Sequence, residues 1–373
     1  MKMKRALSFL SLVFFLVIIP SYGASKFMFQ HLEVRNGLSN SQVNTIFKDS
    51  KGYMWFGTAS GLNRFEGYEF KVFSSSPSDK TTLTDNFIQT IQEDGDGNLW
   101  ILTGGGYAVY NPRTERFDRD IRQRIWNWGL DAVPTIIYID KYKNFMFYVE
   151  GKGIYYLQPK QKLLYPFLMD GKRGGIPGGV ITSMSECREG VVAMYNDGSM
   201  VCINGQKRHM MWFNRNLAGT AASAGMTYTS FVDKKDNIWI FNPYNLWIYN
   251  VSKNQWINSL EELASQWGIH SAPIPHDMVK CISQDMAGRY WIGTDHSGVI
   301  VIDPSQKSIL NLQHNEGNER SIRNNSIESL FTDNAGMVWV GTYKNGLSYY
   351  GESIFKFNVE HVGDIDCIAE DHS

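Results

Sequence analysis

This sequence has no charge bias. It carries 36 basic and 37 acidic residues, a formal net charge of −1. Binding driven by neutralising a phosphate backbone needs a basic excess, so nucleic acid is not expected as a partner. Cysteine is scarce: Cys187, Cys202, Cys281 and Cys367 in 373 residues. Cys187 is expected to end one strand, with Cys202 two strands away in the same sheet, beyond bridging distance. Cys281 reads as a buried strand position, and all four are expected to be free thiols. Catalytic signatures are missing too. There is no Gly-x-Ser-x-Gly elbow. His270, His276, His296 and His314 lack the spacing of a zinc helix, and no lysine follows Gly104-Gly105-Gly106 to complete a phosphate cradle. The run from Asp94 to Asn98 hints at a calcium loop but lacks the closing glutamate. No catalytic residue, metal or cofactor is expected.

Long apolar stretches are absent except at the start. Lys2, Lys4 and Arg5 precede an apolar run from Ala6 to Ile19, which is short for a membrane span. Ser21-Tyr22-Gly23 then offers small residues for signal peptidase. Residues 1–23 read as a secretory signal peptide cleaved near Gly23/Ala24, with an uncleaved anchor as the alternative.

What is present is a repeat. Asp49-x-x-Gly52-x-x-Trp55-Phe56-Gly57-Thr58 returns around Trp100, Trp239, Trp291 and Trp339, and in eroded form around Met146 and Val192. The spacing is about 45 to 50 residues, the period of a propeller blade of four short strands. In the first copy the predicted strands are 43–48, 53–58, 62–65 and 69–74. Turns lie between them, and the aspartate is expected to cap the amides of the first turn. Seven copies predict an all-β fold, a seven-bladed β-propeller of four-stranded antiparallel blades over residues 24–360. A ring must close to hide its strand edges. Two segments could supply the missing strand of the last blade: Phe27–Glu33 or Ile354–Val359. Residues 361–373 resemble the opening strand of an eighth repeat and are expected to begin a second, truncated propeller.

Together with Asn36-Gly37-Leu38-Ser39 and Asn63-Arg64-Phe65-Glu66-Gly67-Tyr68, these phrases resemble the two-component regulator propeller repeat. The resemblance implies a periplasmic sensor region of a hybrid two-component system of the kind found in gut Bacteroidetes. In such systems a second propeller, a membrane helix and a histidine kinase follow, and the usual ligand is an oligosaccharide released from a polysaccharide. This sequence contains no kinase box, no receiver and no second apolar span. The expected role is therefore ligand sensing without catalysis, with contact to the membrane only through a missing C-terminal part. Two other readings stay open: a sialidase-like glycan-processing propeller, because the Asp-x-x-Gly-x-x-Trp turn is similar to the Asp box of those enzymes, and a protein-interaction scaffold.

Ligand residues are expected on the loops that join blades and on those between second and third strands, which vary while the Asp/Gly turns do not. Trp126, Trp128 or Trp267 could stack on a sugar ring, with Arg124, His276, His296 or Lys344 as hydrogen-bonding neighbours. The alternative for each tryptophan is to plug its loop onto the blade.

Overall fold

A computed structural model describes residues 27–169, 175–215, 217, 225–270 and 274–352. The predicted signal peptide, Cys367, the candidate closing strand Ile354–Val359 and the expected start of a second propeller lie outside the described residues. The rest forms seven four-stranded antiparallel sheets, each built from consecutive strands except the last. Blade 1 comprises Val43–Lys48, Met54–Thr58, Gly61–Phe65 and Phe70–Phe73, within a residue or two of the pattern read from the sequence.

The repeated phrase is a set of linked bonds. In blade 1, Asp49 Oδ1 accepts from the amides of Lys51 and Tyr53 at 3.0 and 2.9 Å, closing the turn. Its Oδ2 accepts from Trp55 Nε1 at 2.8 Å, tying the turn to the buried indole. Asp94 with Trp100, Asp233 with Trp239 and Asp285 with Trp291 repeat the indole bond at 3.0, 3.1 and 2.8 Å. Both oxygens of Asp94, the residue that hinted at a calcium loop, are thus engaged by turn and indole donors. The phrase's threonine closes the next loop: Thr58, Thr103, Thr294 and Thr342 each donate to the carbonyl of a following glycine at 2.8–2.9 Å. Its glycine admits the neighbouring blade. A Cβ on Gly57 would lie 2.5 Å from Ile88 Cγ2, and one on Gly293 2.7 Å from Ile327 Cγ2, both on the next blade's inner strand. A side chain there would hold the blades apart.

No blade buries both of its faces alone. The described core divides into seven clusters, and each joins the facing sheets of two adjacent blades. Blade 4 lacks the tryptophan. There the Cys187 and Cys202 sulfurs meet at 3.5 Å within a cluster shared with blade 5. Both are free thiols, but their sulfurs lie far closer than two residues expected to be beyond bridging distance. Cys281, expected to be buried, is partly exposed on the inner strand Val279–Gln284 of blade 6.

The ring is closed by the N-terminal segment. Gln30–Leu32 pairs antiparallel with Leu347–Tyr350 as the fourth strand of blade 7, with Gln30 opposite Tyr349 and Leu32 opposite Leu347. The preceding aromatics anchor it: the Phe27 ring lies 5.1 Å from Trp291 and 4.9 Å from Tyr350. Across the seam with blade 1, Ser329 Oγ donates to the Val43 carbonyl and Lys48 Nζ to Asp333 Oδ2, both at 2.8 Å.

The two longest inter-blade connections were read from the sequence as loops, but each contains a short helix, α1 (Ile121–Trp126) and α2 (Leu260–Gln266). Asp120 and Ser259 cap them by accepting from the amides of Gln123 and Glu262. Each follows a fourth strand of only three residues. The helix supplies the apolar cover that the short strand omits, through Ile121 and Ile125 in one case and Leu260, Leu263 and Ala264 in the other.

Two outcomes are expected. Trp100→Phe loses the bond to Asp94, whereas the Trp339 indole nitrogen already lacks a hydrogen-bond partner among the described residues. In denaturant unfolding, Trp100→Phe should therefore cost about 1–2 kcal/mol more than Trp339→Phe. Removing residues 27–32 should lower the unfolding midpoint and expose the edge Leu347–Tyr350, seen as concentration-dependent association in light scattering.

Candidate functional site

Because the strands alternate, the inter-blade connections and the second-to-third-strand loops emerge on one face, and the Asp turns on the other. Backbone bonds knit the first set together: Asp295 N donates to the Met278 carbonyl, Gly298 N to Asn325 and Tyr343 N to Ser326. The repeat register also identifies the tip of each second-to-third-strand loop, five residues beyond the Trp position. From blade 1 to blade 7 these tips are Ser60, Gly105, Gly151, Asp197, Tyr244, His296 and Lys344. Three consecutive blades, 5 to 7, thus present an aromatic ring, an imidazole and an ammonium where blades 1 to 3 present a hydroxyl and two glycines.

A depression of about 580 Å³ opens in that sector at the seam of blades 5 and 6. Its walls include Tyr244 and Asn245 from the loop of blade 5, Asn258 and Glu261 at the start of α2, and His276 and Asp277 leading into blade 6. Tyr244 is 74% exposed, yet its loop is firmly held. Asn242, at the position of the threonine in other blades, is buried, and its Oδ1 accepts from the amides of Tyr244 and Asn245, both at 2.9 Å. An exposed aromatic ring on a held loop, beside amide, carboxylate and imidazole groups, can cover the apolar face of a sugar and bond its hydroxyls.

Asp277 ties the depression to blade 6. Its Oδ2 accepts from the amides of His296 and Ser297 at 2.7 and 2.6 Å, and its Oδ1 from Met278 at 2.7 Å. Burial disfavours the charge but is outweighed by the amides of His296, Met278 and Ser297, so the carboxyl stays below its ordinary 3.8. His276 precedes this carboxylate in sequence and His296 lies beside it in space, its Nδ1 closer still to Asp295 Oδ2 at 3.2 Å. His276 Nε2 lies 3.9 Å from Glu261 Oε1, and His296 Nδ1 lies 3.9 Å from Asp277 Oδ1.

The other residues expected from the sequence fall elsewhere. Trp267 stacks on Tyr290 at 5.4 Å and packs against the core beneath α2. Trp128 stacks on Trp100 at 6.0 Å and on Phe147 at 6.2 Å. Both act as loop plugs. Arg124 pairs with Asp118 at 3.2 Å, over the Trp100 ring. Trp126 is 59% exposed, but it belongs to the seam of blades 2 and 3, three seams from His276. Lys344 extends over the Tyr343 ring at 5.6 Å on blade 7. Sequence reasoning missed Tyr244, Asn245, Asn258 and Glu261. Tyr244 was recoverable, since it occupies the repeat position of His296 and Lys344.

The family of repeats described as the two component regulator propeller matches residues 37–60, 82–105, 273–296 and 321–344, in blades 1, 2, 6 and 7. The chain carries two-component regulator propeller repeats. The matched segments run from an inter-blade connection to the loop after the second strand, so they contain the Asp and Trp positions of the phrase, bonded to each other in blades 1, 2 and 6. Over 70 residues the chain is 39% identical to histidine kinase P4 of Formosa agariphila, a span of 19% of this chain and 5% of that protein. The propeller is similar to the extracellular domain of a hybrid two-component system from B. thetaiotaomicron, with TM-score 0.64 and 19% identity, covering 87% of this chain and 42% of that one. It is also similar to virginiamycin B lyase from Staphylococcus aureus, with TM-score 0.58 and 10% identity, covering 87% and 99%. At these identities the solved structures establish the fold alone. The chain spans about two fifths of the sensor domain and a small part of the kinase.

The carboxylate of Asp277 sets a pH limit on this face. Its folded value is depressed, so the stability it adds is present above the ordinary carboxylate range and is lost as pH falls through the folded value. Asp277→Ala should remove about 1–3 kcal/mol at neutral pH. It should also raise hydrogen exchange at the His296 and Ser297 amides about tenfold or more, and the stability gap between variant and parent should narrow as the pH falls below 3.8.

Proposed function

We propose that this chain is a ligand-sensing propeller of a two-component system, exported to the periplasm, and that it binds a polysaccharide-derived oligosaccharide without chemical turnover. The observation that carries the reading is the depression of about 580 Å³ at the seam of blades 5 and 6. It lies on the loop face, within the sector of chemically active loop tips. Two-component regulator propeller repeats supply the sensing context. Export is supported by the apolar run after Lys2, Lys4 and Arg5, and by the extracellular placement of the similar sensor domain.

The proposed mechanism is differential binding. A sugar ring stacks on Tyr244 and bonds Asn245, Asn258, Glu261 and His276. Because the walls belong to two blades, the ligand favours one arrangement of that seam. A second propeller and a kinase module, as the repeat resemblance implies, would read the change.

Isothermal titration of the full chain against a panel of polysaccharide fragments tests this. Binding is expected, with Tyr244→Ala weakening it about tenfold or more and Trp126→Ala leaving it unchanged. No binding, even with a second propeller attached, would overturn the glycan reading. Turnover of a fluorogenic sialoside would favour an enzyme, and a protein partner captured without sugar would favour a scaffold.

A further inference from the structure

A second cavity, of about 520 Å³, opens on the same face where the ring closes. It is lined by Glu33, Arg35, His314, Glu319, Arg323 and Asn345. These residues come from three places: the connection after the closing strand, the connection from blade 6 to blade 7, and the loop of blade 7 that carries Lys344. Its chemistry differs from that of the first depression, whose lining holds two carboxylates and no lysine or arginine.

The two guanidiniums share one carboxylate. Arg323 Nε lies 3.2 Å from Glu33 Oε1, and Arg35 Nε lies 3.2 Å from Glu33 Oε2. Glu33 also opens the short 3-10 turn Val34–Asn36, its backbone amide donating to Asn36 Oδ1 at 2.9 Å. Glu33 thus lies between the two guanidiniums, nearest to the Nε of each, while the buried Arg323 Nε makes no hydrogen bond among the described residues. The forked donors of these two arginines match a planar carboxylate. Glu319, His314 and Asn345 add an acceptor and further polar groups. The Glu319 carboxylate disfavours a bare anion and suits a ligand that brings hydroxyl donors beside its acid group.

We infer that this cavity is a separate binding site for a carboxylate-bearing sugar, a uronic acid, with the acid on the Arg35–Arg323 pair and ring hydroxyls toward Glu319 and Asn345. The inference rests on the glycan-sensing reading but uses none of the residues of the blade 5–6 depression. A ligand here would bridge the N-terminal closing segment and blade 7, so binding would tighten the ring where it closes.

The test is thermal unfolding of the full chain in glucuronate, glucose or acetate, with ionic strength matched by sodium chloride. Glucuronate is expected to raise the midpoint saturably, and glucose and acetate to leave it unchanged. Arg35→Gln, at an exposed position that should not perturb folding, should weaken the glucuronate effect at least threefold. Tyr244→Ala should leave it intact, which separates this site from the first. An equal effect of acetate would mean a simple carboxylate site, and an equal effect of glucose would remove the role of the arginines. Either result, no effect of glucuronate, or an unchanged response in Arg35→Gln would overturn the proposal.

Discussion

The structure depends on one hydrogen bond made repeatedly: an aspartate on an outer turn accepts from the indole nitrogen of a tryptophan at a blade seam. The bond allows a large ring to be buried without leaving its N–H unsatisfied, a cost of about 1–3 kcal/mol for a buried polar group. The same carboxylate holds the turn amides, so turn, strand and core are set together. Where the tryptophan is lost, its partner changes. In blade 3 the Tyr156 hydroxyl approaches Asp140 at 3.3 Å, and in blade 4 two thiols meet.

Blade 7 differs because it must also close the ring. Its Asp333 takes Lys48 from blade 1 in place of its own indole. Trp339 instead stacks on Tyr349 and lies beside Phe56 of blade 1. Closure thus joins the two ends of the described ring by an ion pair, aromatic packing and a strand from the N-terminus. Both cavities on the loop face lie in the half of the ring that contains this seam, where the loop tips carry reactive groups.

The blades were legible because the turn chemistry and the Trp-x-Gly-Thr phrase are local, and each copy reports the same environment. The helices were less so, although Ser259-x-x-Glu262 before Leu263-Ala264 is a helix-start pattern. The site was half legible. Of the residues singled out, His276 lines the depression, and the His296 amide is held by Asp277 in its wall. Trp128 and Trp267 looked like sugar platforms because they lie in long connections, yet their rings face the core. A tryptophan in a loop does not reveal which side of it is covered.

The sequence by itself determined the number of blades, their strand order and the face on which variation falls, because each follows from a period and from residues close in the chain. Only the tertiary structure decided which segment closes the ring. Phe27–Glu33 and Ile354–Val359 are equivalent by pattern, and the choice turns on Phe27 reaching Trp291 and Tyr350 across more than 260 residues of chain. It also decided which loop residues share a cavity. Tyr244, Glu261 and His276 converge only when two blades stack, and their adjacency is a property of the seam.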